Sequence, residues 1–232
     1  MTPLAVLKAI DAPGSLLFLA LCIALGLALT YLWPRNRRLG MGWLLAVGAA
    51  YLVLALPCVA NVIAPPPASR AEDADAWPRL DTLIVLDGDN RDGRVRQAVK
   101  VFSATSPRTV WLVGNLWMLD PLQKAGIPWA RLKPDEDAPT TLDQLTHVGD
   151  LVAHGESGRT ALIASRLQMP RVAALVATRH VSVVLIASPA DSEPATTGVW
   201  QFVPTYGALS VSRDALYEHA ALAYYRWQGW VR

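Results

Sequence analysis

The chain has 232 residues, 21 of them Lys or Arg and 19 Asp or Glu, for a net charge of +2, and 53% of it is hydrophobic. Four of the basic residues (Lys8, Arg35, Arg37, Arg38) but one acid, Asp11, precede residue 64, leaving 17 basic against 18 acidic beyond it. That remainder holds no basic run interleaved with aromatics and no cysteine, since Cys22 and Cys58 both lie before it, which excludes a nucleic-acid footprint, a disulfide framework and a thiolate metal site there.

Residues 12–34 carry no charge, and residues 16–33 read LLFLALCIALGLALTYLW. Residues 42–64 again carry none. Each stretch approaches the roughly 20 residues that cross about 30 Å of hydrocarbon. We expect an N-terminal two-helix transmembrane hairpin over residues 1–64, with spans near 15–33 and 43–63. The loop between them holds Arg35, Arg37 and Arg38, which keeps it cytoplasmic, and Trp33 and Trp43 flank it at headgroup depth. This predicts a multi-pass protein of the inner (cytoplasmic) membrane whose soluble part is extracytoplasmic or periplasmic. A cleaved signal peptide would end in a small-residue site, not in Trp33, Pro34 and a basic loop. Pro57 sits where a lipoprotein signal wants a small residue before Cys58.

Residues 65–79 read as a linker, opened by Pro65, Pro66 and Pro67, which cannot continue a helix. From residue 80 to 232 the pattern alternates strand and helix. Continuous apolar runs at 80–88, 108–114, 159–165 and 181–189 suit strands buried on both faces, and Leu132 marks a short further strand. Helices are expected around 91–104, with Val95, Ala98, Val99 and Phe102 on one face; through Leu122 to Ala125-Gly126; from a Thr140 or Thr141 cap to about Val152; from Pro170 to Arg179; and from a Ser212 cap to Trp227. The fold class is α/β, a three-layer sandwich with a mostly parallel sheet preceded by the membrane hairpin. In such sheets ligands bind beyond the carboxyl ends of the strands. That singles out Asp87-Gly88-Asp89-Asn90, Gly114-Asn115 and residues 165–171.

Across residues 80–228 the chain resembles the YdcF/SanA/ElyC-like family of bacterial envelope proteins, a domain of unknown function. The resemblance rests on Leu86-Asp87-Gly88-Asp89 with Arg94, on Gly126-Ile127-Pro128, on Thr141-Leu142-Asp143-Gln144, on residues 163–171 around Ser165, and on Glu218 with Tyr224-Tyr225. It departs from the family where the first of two paired glycines is Asp87, where a histidine is Gln168, and where the second helix lacks its opening acid. The resemblance implies envelope polysaccharide or peptidoglycan biogenesis at a phosphate-bearing, lipid-linked intermediate. The departures favour an alternative, a non-catalytic structural subunit of a membrane complex that uses Trp227 and Trp230. Fold analogy alone adds an S-adenosylmethionine-binding enzyme as a third reading.

The candidate ligand-binding residues are Asp87, Gly88, Asp89, Arg94, Asp143, Ser165, Arg166, Gln168 and Arg171. Arg166 and Arg171, behind Pro170 at a helix start, form an anion site, or Arg171 pairs with an acid to hold its loop. Asp87 and Asp89 suit a divalent cation or a general base, and equally a turn bonded to its own backbone. Arg94 reaches the loop mouth or pairs with Asp92 or Asp89, and Asp143 and Gln144 orient a ligand or lie on a solvated helix face. Gln168 cannot shuttle a proton near neutral pH. His147, His154, His180 and His219 are scattered over predicted helices, and no nucleophile elbow or phosphate-cradling loop is present. No catalytic residue or cofactor is assigned. The expected partners are the lipid bilayer, a membrane-protein partner and a phosphate-bearing glycan or lipid-linked ligand, with no nucleic acid.

Overall fold

Five strands form the centre of the computed structural model: β1 (Thr82–Leu86), β2 (Thr109–Val113), β3 (Leu132–Asp135), β4 (Thr160–Ser165) and β5 (Val184–Ser188). They lie in the order β3-β2-β1-β4-β5, and every pairing is parallel. The structure describes residues 16–32, 37–65, 79–88, 91–114, 116–153, 158–189, 194 and 197–231. Trp33, Arg35, most of the linker, Asp89 with Asn90, Asn115 and His154 lie outside the described residues.

The apolar runs dictate this sheet. Every residue of β1 and of β4 is buried, which requires cover on both faces. The cover comes from α4 (Arg91–Thr105) and α5 (Leu119–Lys124), which touch each other, and from α6 (Thr141–Ala153) and α7 (Met169–Thr178), which do likewise. Leu83, Val85, Leu112, Leu122, Ile127 and Ile163, all at most 1% exposed, form the centre of the core. Fully burying each such side chain contributes about 1.5–3 kcal/mol. Strand order reverses at β1: β2 and β3 step outward on one side, β4 and β5 on the other. The β1/β4 boundary is therefore the topological switch point, the crevice position at which open α/β sheets take their ligands, and here Arg94 and Gln168 join the two sides across it.

By its internal contacts the chain divides into two units, Pro66–Asp191 with Tyr224–Arg232, and Met1–Pro65 with Ser192–Ala223. The first is the α/β unit above. In the second, α1 (Leu16–Tyr31) and α2 (Arg37–Leu54) pack as an antiparallel hairpin. Their contact is closest at Gly26 and Gly40: a Cβ on Gly40 would lie 2.7 Å from the Thr30 backbone nitrogen and 2.8 Å from the Gly26 carbonyl oxygen. Thr30 Oγ1 donates to that same oxygen at 2.7 Å, and Trp43 Nε1 donates to the Cys22 carbonyl at 2.9 Å. Of the described helices, α2 is long and apolar enough to cross a membrane, whereas α1, with 16 residues, is shorter.

Two boundaries differ from the sequence expectation. The second apolar stretch, 43–63, is not one helix: α2 begins at Arg37 and stops at Leu54, and Pro57 opens a separate helix, α3 (Pro57–Ile63). Proline lacks an N–H and forces the residue before it to extend, and Leu56 is extended at φ −76°, ψ 126°. The last helix, α8 (Tyr206–Trp227), begins ahead of Ser212 because Thr205 supplies the cap, its hydroxyl accepting the Ala208 N–H at 3.1 Å. The Ser212 hydroxyl instead donates to the Leu54 carbonyl at 2.8 Å.

Candidate functional site

The crevice is built outward from the end of β1. The Asp87 N–H continues the ladder to the Val113 carbonyl at 2.9 Å, and its carboxylate Oδ1 accepts the Trp117 indole N–H at 2.6 Å. Trp117 lies in a one-turn helix (Leu116–Met118) after β2, and the Arg91 guanidinium stands 5.0 Å above its ring. Gly88 then turns the chain at φ +142°, a conformation side chains rarely adopt. A Cβ there would run into the Gln168 amide and lie 2.7 Å from Arg94 Nη2, so glycine is required by space as well as by torsion.

Arg94, in the first turn of α4, is completely buried. Its Nη1 donates to the Leu86 carbonyl, and its Nη2 donates to Gln168 Oε1 at 3.0 Å. The arginine thereby ties the end of β1 to the loop after β4. In that loop the Ser165 hydroxyl accepts the Gln168 N–H at 3.2 Å, and the Arg166 N–H donates to the Ser188 carbonyl at the end of β5 at 3.0 Å. Asp87, Gly88, Arg94, Ser165 and Gln168 thus form one connected cluster across the crevice. Ser165, Arg166 and Gln168 are all less than a tenth exposed, while Asp87 and Gly88 are half-buried and form the accessible lip.

Two of the residues singled out from sequence, Asp143 and Arg171, stand elsewhere. Asp143 accepts the Thr140 hydroxyl at 2.6 Å, and its N–H donates back to Thr140 Oγ1 at 3.2 Å. That is a reciprocal cap on α6. Arg171, 3% exposed, lies 5.5 Å from the Tyr225 ring centre and donates to the Tyr225 hydroxyl at 3.4 Å. Asp89 lies outside the described residues. Among the histidines, His147 Nδ1 meets Asp135 Oδ2 at 2.7 Å, His180 stands in a turn at φ +54° and not on a helix, and His219 Nε2 meets the Ile63 carbonyl at 2.9 Å. The hydrogen bond that His147 donates to Asp135 raises the His147 pKa, partial burial works against the rise, and the Asp135 charge adds to it.

Sequence reasoning missed Trp117 and Ser188, and it weighed Gln144 together with Asp143 as a residue that orients a ligand or lies on a solvated helix face. Gln144, 4% exposed, donates to the Ala138 carbonyl at 3.3 Å and packs on Gly114, whose added Cβ would lie 2.9 Å from the Asp87 Cβ. Among the described residues, Gln144 Oε1 and Ser188 Oγ are buried with no hydrogen-bond partner. The signal for Trp117 was available: an aromatic residue directly after a strand-end loop.

Chemically the site is rich in buried arginine. Arg94 and Arg166 are under a tenth exposed, and among the described residues of the loops after β1 and β4 the half-buried carboxylate is Asp87. Among the described residues no three His, Cys, Asp or Glu side chains gather as a metal site. Compared with known protein families, characterised proteins and solved structures, the chain matches none of them.

Proposed function

We propose that the chain is a membrane-anchored protein of the cell envelope, built on a YdcF/SanA/ElyC-like domain, that binds a phosphate-bearing intermediate of envelope polysaccharide or peptidoglycan biogenesis at the ends of its strands. The observation that carries this reading is the burial of Arg94 and Arg166 at the loops after β1 and β4, next to the half-buried lip at Asp87 and Gly88. The α2 helix, long and apolar enough to cross a membrane, supports the anchoring, with α1 as the second crossing of a multi-pass hairpin. The arginines at 35, 37 and 38 support a cytoplasmic loop and a periplasmic α/β unit. A reporter that is active only outside the cytoplasm, fused after Val231, gives signal under this orientation and none under the reverse.

The binding reading is tested by melting the full chain in detergent with inorganic phosphate, sugar phosphates and a polyprenyl diphosphate. A ligand at about 100 times its dissociation constant adds roughly 2.7 kcal/mol, which raises Tm by on the order of 5–10 °C. The rise is expected to disappear in Arg166→Gln. A second reading, the non-catalytic structural subunit, is favoured by the way Arg94 and Gln168 occupy each other and Trp117 occupies Asp87. Under it, no phosphate compound shifts Tm, and substitutions at Asp87 and Gln168 leave the membrane complex intact.

A further inference from the structure

Residues 194–212 contain no charged side chain, a stretch that the α/β pattern does not use. Within the membrane-helix unit this stretch forms a short 3-10 turn (Val199–Phe202) and then the start of α8. Its large apolar side chains point outward: Val199 is 70% exposed, Trp200 69%, Phe202 61%, Val203 40% and Tyr206 76%. A contiguous apolar patch of this kind on an aqueous surface marks a contact.

Its attachment says with what. The Thr205 N–H donates to the Ala55 carbonyl at 2.8 Å, and the Ser212 hydroxyl donates to the Leu54 carbonyl at 2.8 Å. Both carbonyls belong to the C-terminal end of α2, where a helix leaves its last acceptors unsatisfied. The 3-10 turn also packs on α3. The segment is therefore fastened to the point where α2 ends. At 1.5 Å per residue the 18 residues of α2 rise about 27 Å, close to the thickness of the hydrocarbon layer. With Arg37 and Arg38 at one surface, Leu54 and Ala55 lie at the other, the level at which Trp and Tyr collect in membrane proteins.

We propose that residues 199–206 form a third membrane contact, an interfacial segment whose Trp200, Phe202 and Tyr206 lie among the lipid headgroups and upper acyl chains on the side where α2 emerges. This rests on α2 crossing the bilayer. The occupant is lipid because the segment is uncharged, rich in aromatics and continuous with the membrane helix.

The test places a nitroxide label at Phe202→Cys, and separately at Trp200→Cys, in the full chain carrying Cys22→Ala and Cys58→Ala. The protein is reconstituted into phosphatidylethanolamine and phosphatidylglycerol vesicles, with a label at exposed Lys133→Cys as the aqueous reference. Collisions with oxygen, which dissolves in lipid, are compared with those of a water-soluble nickel chelate. The expected result is a shift of the oxygen-to-nickel ratio toward lipid at both positions relative to the Lys133 site. A ratio equal to that reference means the segment faces water and overturns the proposal. Protection from both reagents means protein covers it, a second copy or another chain, and overturns it equally. Vesicle flotation separates these failures from that of the anchor: a chain that floats with either result keeps its membrane helix, and one that does not float loses both readings.

Discussion

The turn at Gly88 carries the tightest steric demand in the candidate site. At φ +142°, with the Gln168 amide and the Arg94 guanidinium against its Cα, Gly88→Ala is expected to destabilise the α/β unit by about 1–3 kcal/mol, read as a fall in Tm. Gln168 has a separable role, since its Oε1 is an acceptor for the buried Arg94. A hydrogen bond to a charged group contributes about 1.5–3 kcal/mol, so Gln168→Ala should lose that much. Gln168→Glu keeps an oxygen in place and should lose less. Equal losses in chemical-denaturant titrations of the two variants would mean that the acceptor is not what holds this loop.

At the scale of elements, the contacts that join neighbouring segments are the informative ones. His147 on α6 meets Asp135 at the end of β3, and its pKa is raised, first by that hydrogen bond. A raised folded pKa means the pair's stabilisation is fully present below the ordinary value of about 6.5 and is lost as pH climbs through the higher folded value. The Tm difference between the native chain and His147→Gln should therefore be largest on the acid side of about 6.5, while Asp135 is still ionised, and vanish as pH rises. Both side chains are partly exposed, so the effect stays below about 1 kcal/mol. In the hairpin, Gly40 lets α1 and α2 approach to backbone contact at Thr30 and Gly26. Gly40→Val must push the helices apart, at a cost of roughly 1–3 kcal/mol in the detergent-solubilised chain.

At the scale of the whole molecule, the chain enters the helical-hairpin unit, builds the α/β unit, returns, and ends in the α/β unit with Tyr224–Arg232. That last piece is structural: Tyr225 is 2% exposed, packs edge-on to Trp230 at 5.2 Å, and lies beneath Arg171. Losing one buried aromatic side chain costs about 3–5 kcal/mol, against a total stability of about 5–15 kcal/mol. A chain truncated after Ala223 should thus keep its hairpin but leave the α/β unit open to proteolysis. A truncated chain as protease-resistant as the native one would show that the C-terminal aromatics contribute little.

What the sequence by itself determined is the set of elements and their order. Continuous apolar runs bounded by turns mark β1, β2, β4 and β5, the helix punctuation at Gly126-Ile127-Pro128 and Thr140 marks their neighbours, and the uncharged stretches mark the hairpin, because burial on one or both faces writes itself into local hydropathy. It also pointed to the loops after β1 and β4, since strand ends are where polar residues interrupt apolar runs. Only the tertiary structure decided which of those polar residues meet. Arg94 and Gln168 are 74 positions apart, and nothing local says that one guanidinium will bridge them, nor that Asp143 will turn back on Thr140 while Gln144 turns inward. The same holds for Thr205 and Ser212, whose hydrogen bonds reach Ala55 and Leu54 at the end of α2 although the α/β domain lies between them in sequence. Hydropathy reports what a segment must hide, whereas the partner it hides against is set by the path of the chain through space.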